Sequence, residues 1–285
     1  MIAEVDKHPC CRAQAEQGQT GGVPLAEEGV KELILVAQDS SRYGEDLGKQ
    51  DALARLLREL SHTDGIEWVR VMYTYPTHIS DAFLDVLAEE PKAVKYLDMP
   101  LQHASQNVLK LMKRGGNRAS LERLIERVRR RVPGIAVRTT FITGFPGETE
   151  DDFKELLTFV KNVEFDRVGV FTYSDEEGTP AFALPNKVPH RTASRRRTAL
   201  MKQQARISQR NNKTRVGEVV RVLFEGESKE SELLWQGRLA TQAPDIDGCI
   251  LINDVPDGVL PSTGQFVQVE ITEAHEHDLI GRILA

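Results

Sequence analysis

Cysteine is almost absent from this sequence: Cys10, Cys11 and Cys249 are the only three in 285 residues. So few thiols, odd in number, exclude a disulfide framework and point to a reducing cytoplasm. No apolar run approaches the roughly 20 residues that a membrane-spanning helix needs. The opening residues, Met-Ile-Ala-Glu-Val-Asp-Lys, lack the apolar stretch of a signal peptide. A surplus of positive charge is also missing, since 37 Lys/Arg face 43 Asp/Glu for a net charge of −6. Bulk charge therefore gives no affinity for nucleic acid, although a local basic patch is compatible with it. What the chain does have is 40% hydrophobic residues, enough to bury a core, and a length that suits one large domain plus a small one.

Residues 1–25 differ from the rest. His8-Pro9-Cys10-Cys11 leads into an aperiodic Gln/Gly-rich stretch, which reads as an irregular segment. Adjacent cysteine side chains point apart and do not easily chelate one ion, so no metal site is assigned there.

From Gly29 strands and helices alternate. Lys31 to Ala37 is a nearly continuous apolar run of the kind buried in a parallel sheet, followed by Gln38-Asp39-Ser40-Ser41. A helix over about Lys49 to Ser61 aligns Leu53, Leu56, Leu57 and Leu60. Trp68 to Tyr73 and Tyr96 to Met99 are further strands, and Ser80 and Ser120 open helices. The fourth strand, Ile135 to Ile142, breaks at Gly144-Phe145-Pro146-Gly147, and Thr149 with Asp152 forms the capping signature of the next helix. A fifth strand is Arg167 to Thr172. The alternation predicts an α/β fold, an incomplete parallel (β/α) barrel over 26–212 that includes a basic helix from Val188 to Asn212. Every strand ends in polar residues, so the expected active face is the carboxyl end of the sheet. There, Gly144 and Gly147 would let backbone approach a ligand.

After Arg215 the pattern changes to five short β-rich runs, which predict a small antiparallel barrel over 213–285. That segment carries six Lys/Arg and thirteen Asp/Glu, a net of −7. An acidic barrel repels phosphate and suits a basic protein partner.

Taken in order, Leu35 to Gly44, Tyr73-Thr74-Tyr75-Pro76, Met99 to Ser105, Lys113-Arg114-Gly115, Arg138 to Thr149 and Phe171 to Thr179 resemble the radical SAM methylthiotransferases. The likeness covers residues 26–285. The terminal barrel is similar to a TRAM domain, and Gln242 to Gly248 resembles its form in the branch that modifies an aspartate of small-subunit ribosomal protein S12. The resemblance implies S-adenosyl-L-methionine as cofactor and two 4Fe-4S clusters. One cluster opens an iron to the cofactor's amino and carboxylate groups, and electron transfer then yields a 5′-deoxyadenosyl radical.

By the same resemblance, Gln38, Asp39 and Arg138 meet the methionyl end of the cofactor. The turn Gly144 to Gly147 approaches its adenosyl part, Thr140 and Ile142 also bind the cofactor, and Asp245 and Asp247 bind the substrate. Gln102 and His103 reach the ribose or the substrate, with a structural hydrogen bond an equal alternative for His103.

The sequence departs from the family in one respect. The CxxxCxxC motif and three further cysteines of the family are absent, as is the first barrel strand, so the cluster ligands are missing here. This predicts a truncated chain, incomplete for catalysis. The expected function is an aspartate methylthiotransferase acting on the ribosomal protein or the ribosome. The alternatives are a non-catalytic ribosomal-protein-binding fragment and a tRNA-modifying relative, the latter disfavoured by the acidic barrel.

Overall fold

The computed structural model describes residues 2–6, 24–229, 231–256 and 261–284. Six parallel strands succeed one another: β1 (Ile2–Asp6), β2 (Glu32–Val36), β3 (Trp68–Val71), β4 (Tyr96–Asp98), β5 (Ala136–Thr143) and β6 (Arg167–Thr172). They form two three-stranded sheets, β1-β2-β3 and β4-β5-β6, coupled by a parallel bridge between Val69 and Ala93. The helices between them are α1 (Ala52–Ser61), α2 (Asp81–Glu89), α3 (Gln106–Leu111), α4 (Arg118–Arg131) and α5 (Glu150–Val163). The expected alternation is thus observed.

The N-terminal expectation needs correction. Residues 2–6 are not irregular but form β1, in register with β2 from Ile2↔Glu32 to Asp6↔Val36. The sheet therefore does not begin at β2, and the strand expected to be missing has an occupant. Residues 7–23, with His8, Cys10 and Cys11, lie outside the described residues.

Strand alternation divides the sheet into two faces. Leu33, Leu35, Val69, Val71, Leu97, Val137 and Phe141 face the helices and build the main core with residues such as Leu57, Leu84, Val128 and Phe159. The helix starts are fixed by side chains. Ser80 caps α2, and Thr149 and Asp152 form a reciprocal capping box on α5. Burial alone would raise the Asp152 carboxyl, but hydrogen bonds from Ser105, Thr149 and Asn107 outweigh it and hold it at about 2.

Helix α6 (His190–Lys213) comes next and lies along β6 and α5. It is not a solvated basic face throughout. Arg196 is buried, 3.2 Å from both Glu148 and Glu150, and Arg197 Nε donates to the Val170 carbonyl at 2.9 Å. The family of charges that looked like a free stripe is partly the glue of the helix to the sheet.

The last strands are β7 (Val219–Glu227), β8 (Trp235–Arg238), β9 (Ile250–Asp254), β10 (Phe266–Ala274) and β11 (Leu279–Ile283). They close into a barrel in the order β10-β11-β9-β8-β7. The expected antiparallel pairing holds except between β11 and β9, which run parallel. The exception follows from order in the barrel: β11 inserts between β10 and β9, and closure sets its direction against β9.

This barrel packs against the inner face of the sheet. Leu223 and Ala243 join Ile34, Trp68, Met72, Val94, Tyr96 and Ala136 in one apolar cluster. Phe266 meets Trp68 edge to face at 4.9 Å. Inside this seam Glu32 bridges two arginines, Arg70 Nε at 2.8 Å and Arg238 Nη2 at 2.5 Å, and Arg238 also reaches Glu225 at 2.6 Å.

Candidate functional site

A cleft of about 360 Å3 opens at the carboxyl ends of five successive strands. Four strands contribute residues near or past their ends, Gln38 after β2, Tyr73 to Tyr75 after β3, Pro100 and Gln102 after β4 and Phe171 near the end of β6, while β5 contributes Arg138 and Thr140 from its first and middle part. Arg114, just beyond α3, completes the wall. On β5 the residues facing the interior alternate with buried ones, so Arg138, Thr140 and Ile142 share a face.

Two residues are held in the left-handed region, where side chains cost backbone energy. Tyr73 has φ 55° and Gln102 has φ 70°. Tyr73 is fixed by its N–H donating to Asp98 Oδ2 at 3.1 Å and its carbonyl accepting from Ser40 N at 2.9 Å. Gln102 is locked into the sheet, its N–H donating to the Thr140 carbonyl and its carbonyl accepting from Ile142 N, both at 2.8 Å. The strain brings the Gln102 side chain to the cleft, where Oε1 is buried without a hydrogen-bond partner. A buried acceptor left open costs about 1–3 kcal/mol, so the site is built for a donor from a ligand. An ammonium or a ribose hydroxyl supplies such a donor.

The other expected residues take different places. Asp39 is beside the cleft, not on its wall. It caps the short 3-10 turn 40–42, accepting from Ser41 N at 3.1 Å and from the Ser41 hydroxyl, and faces His78 Nδ1 at 3.0 Å. Arg138 is in the cleft but is already neutralised, with Asp98 at 2.6 Å and Asp247 at 3.7 Å.

His103 takes the structural alternative. It is fully buried, and its Nδ1 accepts from Ser105 N at 3.0 Å. In the neutral ring Nε2 therefore carries the proton, and it faces Glu148 Oε1 at 3.5 Å. The other Glu148 oxygen accepts from Gly144 N and pairs with Arg196. This network sits behind the strand ends.

The glycine turn also departs from expectation. Gly144 (φ +81°) lies against α6, where an added Cβ would sit 2.3 Å from the Ala193 Cβ, and at Gly147 (φ +85°) one would meet Leu111 at 2.8 Å. The left-handed backbone at both positions, with close packing on Ala193 at Gly144, favours glycine there. Gly144→Ala is accordingly expected to destabilise the fold by about 2–4 kcal/mol through left-handed strain and overpacking. Urea unfolding measures the loss, and the folded fraction should keep its affinity for ligands of the cleft. A stable variant with lost affinity would return the turn to the binding site.

Asp247, expected at the substrate, is not presented to a partner. It is buried in the seam, accepts from the Tyr96 hydroxyl at 2.6 Å and from Ala243 N at 2.9 Å, and faces Arg138. Burial, then the Asp247 carboxylate, pushes the Tyr96 phenol well above its usual 10. Asp245 is exposed and paired with Lys229 at 2.8 Å. Sequence reasoning gave no role to Tyr73, Arg114 or Phe171, although the large apolar ring of Phe171 at a strand end, 60% exposed, was a signal.

Cys249 forms no disulfide among the described residues, and among them no group of three His, Cys, Asp or Glu side chains could hold a metal. No helix among the described residues is long and apolar enough to cross a membrane.

Comparison with known proteins agrees with this geometry. The radical SAM superfamily matches residues 20–160, and the TRAM domain matches residues 216–284. "Ribosomal protein uS12 methylthiotransferase RimO" of Koribacter versatilis is 49% identical over 260 residues, covering 91% of this chain and 52% of that protein. The protein of the same name from Solibacter usitatus is 49% identical over 298 residues, covering 100% of this chain and 64% of its own length. That of Myxococcus xanthus is 48% identical over 91% of this chain and 54% of its own length. The chain thus spans about half to two thirds of the length of these relatives. The superfamily match implies S-adenosylmethionine and iron–sulfur chemistry. The chain thus carries a radical SAM domain with a parallel sheet over 20–160 and a TRAM domain over 216–284, and it is similar to proteins named RimO.

Proposed function

We propose that this chain is the cofactor-binding and substrate-docking portion of a methylthiotransferase that adds a methylthio group to the β-carbon of an aspartate in a small-subunit ribosomal protein. The observation that carries the reading is the cleft at five parallel strand ends, with the unpaired Gln102 Oε1 at its wall. The relatives' shared name supplies the substrate. S-adenosylmethionine fits the cleft: Gln102 accepts from an amino or hydroxyl donor, Thr140 offers a hydroxyl, and Tyr73 and Phe171 give apolar walls for a planar base. S-adenosylmethionine held by these residues would supply hydrogen-abstraction chemistry through its adenosyl group. The described residues offer no set of thiolates to hold the cluster that this chemistry needs. The acidic terminal barrel suits a Lys/Arg-rich partner, and the setting is the cytoplasm, where ribosomes are modified.

Equilibrium dialysis with S-adenosylhomocysteine tests the cleft. Gln102→Leu should weaken binding about tenfold, the loss of one hydrogen bond made to a buried group. Equal affinity of the two proteins would reject the site. Titration of the chain with the ribosomal protein and with tRNA, at about 0.15 M salt so that only strong electrostatic pairing survives, tests the partner. Tighter binding of tRNA would reject the protein as substrate.

A further inference from the structure

The cleft contains two guanidinium groups, and they are not equivalent. Arg138 is held between two buried carboxylates, Asp98 and Asp247. That cluster of one positive and two negative groups leaves the floor net negative, so it repels a carboxylate ligand. Arg114 is different. Among the described residues no carboxylate lies within ion-pairing distance of it, and its hydrogen bonding is Nη1 donating to the Pro100 carbonyl at 3.0 Å. Its guanidinium carbon stands 4.7 Å from the centre of the Tyr75 ring. Burial strips water from it and lowers its pKa, with Tyr75 and then Asp39 acting the other way. Asp39 itself is engaged by Ser41 and His78.

Resting on the reading of the cleft given above, we propose that Arg114 is the carboxylate anchor of the site, taking the acid group of a ligand that enters the cleft. The stacked ring and the Pro100 carbonyl fix the plane of the guanidinium before a ligand arrives, so little rotamer freedom remains to be lost. Four of its five N–H donors remain for a fork-like pairing with two carboxylate oxygens. Two ligands of this cleft bear such a group: the methionyl end of the cofactor and the aspartate to be modified. The chemistry is shared, and the experiment separates the sources.

The full chain and its Arg114→Met and Arg114→Lys forms are titrated calorimetrically with four probes. S-adenosylhomocysteine is set against 5′-methylthioadenosine, which has no carboxylate. A synthetic basic peptide carrying one aspartate is set against the same peptide with asparagine. Arg114→Met should weaken one acid-bearing probe about 10- to 100-fold, as expected for a charge-assisted pair, and leave its uncharged twin unchanged. Arg114→Lys should recover part of the loss, and it also reports on the proposal should the methionine form not fold. Loss on S-adenosylhomocysteine assigns the anchor to the cofactor, and loss on the aspartyl peptide assigns it to the substrate. Unchanged affinity for both acids, or equal loss on the acids and their twins, overturns the Arg114 assignment alone. A wild-type chain that binds none of the four probes overturns the reading of the cleft itself, and Arg114 with it.

Discussion

Anaerobic reconstitution with iron and sulfide is expected to leave this chain without a stoichiometric 4Fe-4S cluster, and incubation with S-adenosylmethionine and a reductant to yield no 5′-deoxyadenosine. A site-differentiated cluster needs three thiolates placed around one cube, with the fourth iron left to the cofactor. The chain has three cysteines in all, and two are the adjacent Cys10 and Cys11. Cys249 immediately precedes β9 in the terminal barrel, and its N–H donates to Asp278 at 2.8 Å. No thiolate of the described chain lies among the residues lining the cleft. The measurement is visible charge-transfer absorbance together with iron content per chain. One cluster per chain with turnover would overturn the expectation and would make Cys10 or Cys11 a ligand.

The second large effect is expected at Glu32. Glu32→Ala should destabilise the protein by about 3–5 kcal/mol, because it leaves Arg70 buried without a counter-charge and Arg238 with Glu225 alone. The side chains of Glu32 and Arg70 are fully buried and that of Arg238 is 3% exposed. Arg70 makes no other ion pair among the described residues and rests its guanidinium 4.6 Å from the Tyr96 ring, with both terminal nitrogens unpaired. Removing the acid therefore costs more than the bond itself. Replacing the whole group, Glu32→Leu with Arg70→Met and Arg238→Met, should restore much of the loss, since a packed apolar cluster removes the desolvation penalty. Chemical denaturation of both variants decides it. A single variant as stable as the wild type would mean that water already reaches the seam.

The two effects show which parts of the molecule a sequence displays. The parallel strands were legible because near-continuous apolar runs such as Leu33-Ile34-Leu35-Val36 have few other uses, and the α5 start because Thr149 and Asp152 carry a local rule. In the site, Gln38, Gln102, Arg138 and Thr140 were placed at the cleft by strand ends and family likeness, and all four line it. Asp39, His103, Gly144 and Gly147 do not line the cleft, for one reason. Each lies next to the cleft in sequence, but its partners come from elsewhere: His78, Glu148, Ala193 and Leu111. Asp247 went astray by long-range burial, since its partner Tyr96 lies 151 positions earlier. The Glu32–Arg70 pair did leave a trace. The two charges sit on the inner face of neighbouring parallel strands, where Glu32 pairs in register with Trp68 and Ile34 with Arg70. The identity of the acidic barrel as their cover, through Arg238, has no periodic signature at all.

The packing of the terminal barrel onto the inner face of the sheet sets an order of events during synthesis. Ile34, Trp68, Met72 and Tyr96 are made early, yet their cover, Leu223 and Ala243, belongs to the last quarter of the chain. At about 5–20 residues per second, the stretch from residue 97 to residue 243 takes roughly 7–30 seconds to emerge. For that interval the nascent sheet carries a bare apolar surface and a Glu32–Arg70 pair still open to water. Trigger-type chaperones, which hold exposed apolar segments, would engage this protein late and release it only when β10 brings Phe266 down upon Trp68. Stalled or shortened products ending before β7 would be the species that aggregate.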